Sequence, residues 1–269
     1  VGITGSSHLG MTHIMALLAR PPALAACWVD VAPTNVFAHM CREGGAMALH
    51  MFAALFLHAH DARELDGNPE GRREIFRDME RMRELVKETP FREGSTALRH
   101  VPNLERQMLD YYRRGEYDQF WARACNDMGA QLSKAADIPV VVSGGWNDPF
   151  AAGSTELFAA LAKKNRAPTR LLMGPWNHVS MKTPDSTAAG GADFGRECRV
   201  GPEIYAEARL RWFSRWLLGE RNGVDQDPPA RLFVMGGGSG RRLENGRIEH
   251  GGRWIDADSW PVTTAPATY

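Results

Sequence analysis

Three short stretches carry side chains able to do covalent chemistry together. Gly5-Ser6-Ser7-His8-Leu9-Gly10 offers a serine between glycines, Gly145-Trp146-Asn147-Asp148 an aspartate, and Gly174-Pro175-Trp176-Asn177-His178 a histidine. An alcohol is a weak nucleophile and needs a general base. The imidazole that serves as base needs a carboxylate to hold its tautomer and stabilise its cation. These types predict acyl transfer with Ser7 as nucleophile, His178 as proton shuttle and Asp148 as orienter. Ser7 is preferred to Ser6 because a sharp strand-to-helix turn needs small flanking residues. Gly5 and Gly10 flank Ser7, whereas Thr4 and His8 would crowd Ser6. The G-x-S-x-G spelling itself is not met, since Leu9 holds its last position. Taken one at a time, a serine in a glycine turn, an aspartate before Pro149 and a loop histidine are more often structural. Their joint placement reverses that preference.

The placement follows from the elements around them. Val1 to Gly5 reads as a strand. Met11, Ile14, Met15 and Leu18 form a helical stripe stopped by Pro21-Pro22, and Leu24 to Val31 is a second strand with Asp30 at its end. Strand, glycine turn, helix and strand make a βαβ unit and hence a parallel sheet. Ile138 to Ser143 and Arg170 to Met173 are further strands, and the aspartate and histidine turns follow them directly. Thr155 to Lys164 is a helix between them, and a longer helix runs from about Pro202 to Gly219. Functional groups of such sheets collect at the carboxyl ends of the strands. The order Ser, Asp, His along the chain is that of the α/β-hydrolases. Between about 39 and 130 the texture changes: Ile75, Met79, Met82 and Val86, then Leu104 and Met108, predict amphipathic helices. Arg231 to Met235 is a strand after a polar stretch, and Trp254 and Trp260 belong to short β segments.

Composition narrows the class. The 269 residues hold 32 Lys and Arg against 32 Asp and Glu, so no basic surplus exists for neutralising a phosphate backbone. No run of about 18 apolar residues predicts a membrane span. Cys27, Cys41, Cys125 and Cys198 are too scattered for a metal knuckle or a disulfide framework, and they predict buried free thiols. His58 and His60 with Asp61 point apart on a helix and form no metal site. Gly236 to Gly240 lacks the Lys and the following helix of a phosphate loop, which favours a turn between β segments.

The three turns together resemble the CocE/NonD serine hydrolases, the family of cocaine esterase, glutaryl acylases, α-amino-acid ester hydrolases and X-prolyl dipeptidyl peptidases. That family's elbow, G-x-S-Y-x-G, is matched by Gly5 to Gly10, its G-W-x-D turn by Gly145 to Asp148, and its G-P-W-x-H turn by Gly174 to His178. Phe213 to Gly219, followed by Arg231 to Gly236, resembles the path into its C-terminal jelly roll. The resemblance implies an α/β-hydrolase domain over residues 1–223, a helical cap at about 38–132 roofing the pocket, and the start of a β jelly roll over 224–269. It implies the His8 backbone N–H as an oxyanion donor, with His8 standing where the family has Tyr. Trp146, Phe150 and Trp176 are the expected substrate-pocket aromatics. The family's second oxyanion donor is a tyrosine from upstream, so the chain is expected to be an internal piece of a longer hydrolase, incomplete at both ends. Such an opening leaves a leader peptide undecided, with the cytoplasm favoured.

The expected activity is hydrolysis of a small-molecule ester or amide through an acyl-enzyme. No cofactor, metal, nucleic acid or membrane is expected to take part, and the oligomeric state is left open. An X-prolyl dipeptidyl-peptidase-like exopeptidase is the alternative. It would need a carboxylate for the substrate's amine, for which Glu43 is the nominee. A non-catalytic binding or assembly module is the alternative of another class.

Overall fold

The computed structural model describes residues 1–263. The chain divides into two compact units, one of Val1–Asn35 with Ala124–Tyr269, the other Val36–Arg123. The first opens with strand β1 (Gly2–Ser6), helix α1 (His8–Ala19) and strand β2 (Ala26–Asp30). The second begins with a short hairpin of β3 (Arg42–Glu43) and β4 (Ala46–Met47). It continues through helices α2 (Leu49–Ala59), α3 (Pro69–Glu80), α4 (Met82–Leu85) and α5 (Pro102–Arg113). Its own core gathers Phe52, Phe56, Ile75, Leu85, Leu98 and Met108. The stripe at 75 to 86 is split between α3 and α4, with Arg81 at the break hydrogen-bonded to Asp78.

The first unit resumes with β5 (Val140–Gly145), α6 (Ala151–Lys164) and β6 (Thr169–Gly174). Two-residue strands β7 (Ala188–Ala189) and β8 (Ala192–Asp193) follow, then α7 (Pro202–Leu218), β9 (Ala230–Met235), β10 (Ile248–Glu249) and β11 (Gly252–Ala257). The central sheet has six strands in the order β1-β2-β5-β6-β9-β11. All its pairings are parallel except β9 with β11. Alternation along the strands sorts side chains onto two faces. Cys27, Val29, Val140 and Val142 pack with Ile14, Leu17, Leu157 and Phe158 of α1 and α6. Trp28 and Val141 face the other way, toward Tyr205 and Trp212 of α7.

One expectation needs correction, and packing places two further segments with the sheet. Ala230 and Leu232 of β9 share the apolar face of Leu171 and Met173, so β9 and β11 extend the same sheet. Residues 124–132 group with the sheet unit, where Met128 and Leu132 are buried in its core. Of the four thiols, Cys125 is exposed, and only Cys27, Cys41 and Cys198 are buried. Burial pushes the Cys41 and Cys198 thiols up to about 12 and Cys27 higher still. Thiolate is the reactive form. Ellman's reagent is therefore expected to titrate one thiol quickly in the folded protein and four after unfolding, and Cys125→Ser should remove the fast one. A second fast thiol in the native state would contradict this burial.

Candidate active site

β1 ends at Ser6 and α1 starts at His8, leaving Ser7 alone to make the turn. Its backbone is at φ 61° and ψ −122°, a region that side chains other than glycine rarely adopt. Such a conformation costs on the order of 1–3 kcal/mol and persists only where the surroundings enforce it. Here the Ser7 N–H donates to the Asp30 carbonyl at 3.0 Å, and the Ser7 carbonyl accepts from Met11 N–H at 3.0 Å. The glycines are needed for close approach. A Cβ on Gly5 would stand 2.6 Å from His13, and one on Gly10 would stand 2.7 Å from Ala32 Cβ and 2.9 Å from the Asp30 carbonyl. A serine before a helix commonly caps it with its hydroxyl. Ser7 makes no such side-chain cap, and its Oγ lies 2.9 Å from His178 Nε2.

The other ring nitrogen, His178 Nδ1, is 2.7 Å from Asp148 Oδ2. An ionised carboxylate only accepts, so Nδ1 carries the proton and donates it, and Nε2 is left to accept from the Ser7 hydroxyl. Asp148 Oδ1 accepts from the Phe150 N–H at 2.7 Å, and its side chain is fully buried. The two loops are joined through their backbones. Trp146 N–H donates to the Gly174 carbonyl at 2.8 Å, Asn147 N–H to the Trp176 carbonyl at 3.0 Å, and Asn147 Nδ2 to the Pro175 carbonyl at 2.7 Å. This chain of hydrogen bonds can move a proton from an alcohol to an imidazole and stabilise the resulting imidazolium. His8 is the first residue of α1, where the helix dipole and first-turn N–H groups favour negative charge.

Of the three aromatics expected at the pocket, one is beside the site. The Phe150 ring meets His178 edge-on, with centroids 5.2 Å apart. Trp146 and Trp176 turn away. Trp146 donates Nε1–H to the Phe233 carbonyl and packs on Trp260. Trp176 is buried on the α7 face and donates to the Cys198 carbonyl. Successive residues of a tight turn point to different sides, so sequence neighbourhood alone did not bring these indoles to the histidine. Glu43 is exposed on β3 in the helical unit.

A buried cluster beneath the elbow was not read from the sequence. The Asp30 carboxylate accepts from Trp28 Nε1–H at 2.5 Å, from the Tyr205 hydroxyl at 2.5 Å, from the Ser143 hydroxyl, and from Arg209 Nη2. Asp30 and Ser143 are register partners on β2 and β5, while Tyr205 and Arg209 reach in from α7. Burial pushes the Asp30 carboxyl up, and Arg209 with the hydroxyl donors pulls it back toward the ionised form. Burial and the adjacent Asp30 raise the Tyr205 phenol well above its ordinary range, so it stays a donor. An aspartate inside the apolar run Ala26-Cys27-Trp28-Val29-Asp30-Val31 was the available signal, because a buried carboxylate must be paired. Among the described residues no group of three metal-ligating side chains forms.

The architecture, an α/β fold on a mostly parallel central sheet, is that of the α/β-hydrolase class. Residues 1–180 match the family model described as X-Pro dipeptidyl-peptidase (S15 family), and the chain belongs to that family. Cocaine esterase of Rhodococcus sp. (strain MB1 Bresler) is 26% identical over 269 residues, covering 97% of this chain and 42% of that enzyme. In fold, the chain is similar to an aminopeptidase from a marine sediment Thaumarchaeota archaeon, with a TM-score of 0.62 at 18% identity over 98% of this chain and 40% of that one. It is also similar to an α-amino acid ester hydrolase, with a TM-score of 0.61 at 19% identity over 97% of this chain and 39% of the other. The chain thus spans about two fifths of the length of the curated relative it matches.

Breaking the Asp30 cluster should be costly. Asp30→Ala leaves the Arg209 guanidinium without its carboxylate, and losing one member of a buried pair costs about 3–5 kcal/mol. Urea unfolding is expected to show a midpoint lowered accordingly, with Asp30→Asn falling between the two. An unchanged midpoint in Asp30→Ala would show that the cluster contributes nothing net.

Proposed function

We propose that this protein is a serine hydrolase that cleaves an ester or amide bond through an acyl-enzyme. The observation carrying this reading is the continuous hydrogen-bonded chain from Ser7 Oγ through His178 to the buried Asp148 carboxylate. Membership of a family whose relatives include an esterase and peptidases supports it. In the first half-reaction, Ser7 Oγ attacks the substrate carbonyl carbon while its proton passes to His178 Nε2. Negative charge gathers on the carbonyl oxygen, and the His8 backbone N–H stabilises it. The bond to the leaving alcohol or amine then breaks, and His178 delivers its proton to that group. Water repeats the sequence, giving its proton to His178 and its oxygen to the acyl carbon, and Ser7 regains its hydrogen. Asp148 keeps Nδ1 protonated throughout, so that Nε2 is the face that works. The Val36–Arg123 unit is taken as the counterpart of the family's inserted helical cap.

Ester or acyl-amide cleavage is preferred to dipeptidyl release. An exopeptidase must hold a free amine with a carboxylate, and its nominee, Glu43, has nothing else to single it out. A fluorophosphonate probe is expected to label the folded protein, and Ser7→Ala should abolish labelling. Asp148→Asn should retain the fold and lower kcat by about 10⁴-fold, since the histidine then rests in the wrong tautomer. A folded protein that takes no label, or a Ser7→Ala variant that still does, would sink the serine mechanism.

A further inference from the structure

We propose that the cavity beside His178 is a carboxylate-binding subsite, filled by an acidic group carried on the substrate; this rests on the hydrolase reading above. The cavity measures about 390 Å³ and lies against the elbow residues Gly5 and Ser6. Its walls carry Lys182 and Arg209, with His178 at one side, and none of its lining residues is an aspartate or glutamate.

The two cations differ in how their charge is met. Arg209 gives Nη2 to Asp30, which lies behind it and is fully buried. Its Nε is buried without a hydrogen-bond partner, and a guanidinium has five N–H groups to place. Lys182 is exposed, and among the described residues no ion pair holds it. Asp30 therefore compensates one of two positive charges, and the cavity keeps the other. A substrate ammonium here would meet two cations and no acid. A carboxylate would meet the lysine and the Arg209 side chain that line the same cavity, and hydrogen bonds between ionised partners are the strong ones. Leu9, Met181 and Pro202 supply the remaining wall, which suits a short methylene chain leading from the carboxylate to the reacting carbonyl. His178 borders this cavity and also faces Ser7 Oγ, so a group anchored there sits next to the bond being cleaved.

The carboxylate can ride on the acyl part or on the leaving alcohol, and matched esters separate these sources. Monoethyl adipate against ethyl hexanoate tests the acyl side. The acetate ester of 6-hydroxyhexanoate against hexyl acetate tests the leaving side. With hydrolysis followed by pH-stat, the acidic member of one pair is expected to show a kcat/KM about tenfold or more above its neutral partner, the size of one charge-assisted hydrogen bond. Lys182→Glu should collapse that ratio. Ratios near one in both pairs, or a ratio that Lys182→Glu leaves unmoved, would overturn the subsite. A second measurement is independent of turnover. Calorimetric titration with adipate is expected to show binding that Lys182→Glu weakens about tenfold, again one such hydrogen bond, and a folded protein that binds adipate no better than its variant refutes the proposal. If the folded protein takes no fluorophosphonate label while adipate still binds through Lys182, the subsite stands and the hydrolase reading falls.

Discussion

The Asp30 carboxylate has no water to turn to, and the sheet unit is arranged around that fact. It ends β2 with its side chain on the α7 face and needs donors there. They come from Trp28 on its own strand, Ser143 on the neighbouring strand, and Tyr205 and Arg209 on α7. One buried acid thereby fixes where a long helix lies against the sheet. The same residue's backbone carbonyl accepts the Ser7 N–H. The turn that bears the proposed nucleophile is thus hung from the residue whose side chain anchors α7. Apolar packing alone would allow α7 to slide along the sheet, whereas its two donors, Tyr205 and Arg209, converge on one buried acid and hold it in place.

That anchorage is what a strained serine requires. Ser7 keeps a positive φ because β1, α1 and Asp30 hold both its neighbours and its own amide. The conformation lifts the side chain off the helix end, where a serine would ordinarily cap, and turns it toward the imidazole. Strain in the backbone and readiness in the side chain are one geometric choice.

The polar triplet was legible because each member obeys a local rule. Glycine-flanked turns at strand ends, in a chain alternating strand and helix, place Ser7, Asp148 and His178 on one edge of a parallel sheet whatever else the fold does. Phe150, two residues from Asp148, comes beside His178 for the same reason. Trp146 and Trp176 lie away from the histidine because side-chain direction inside a turn is set by tertiary partners. Those partners, the Phe233 and Cys198 carbonyls, are far away in sequence. The Asp30 cluster joins residues more than a hundred positions apart, and only the oddity of an acid in an apolar strand pointed to it. Likewise, Arg231 to Met235 reads as a strand from its residues, but which sheet it joins depends on an edge left open by β6.

The loops bearing Asp148 and His178 are sewn to each other by three main-chain acceptors, while Ser7 hangs from a different strand pair. Mechanically, the proposed acid and base form one stiff jaw and the serine is the other. A displacement behind either of the two sewn loops shifts both together. The softer distance is then the one between alcohol and imidazole, the one that sets how readily the proton leaves.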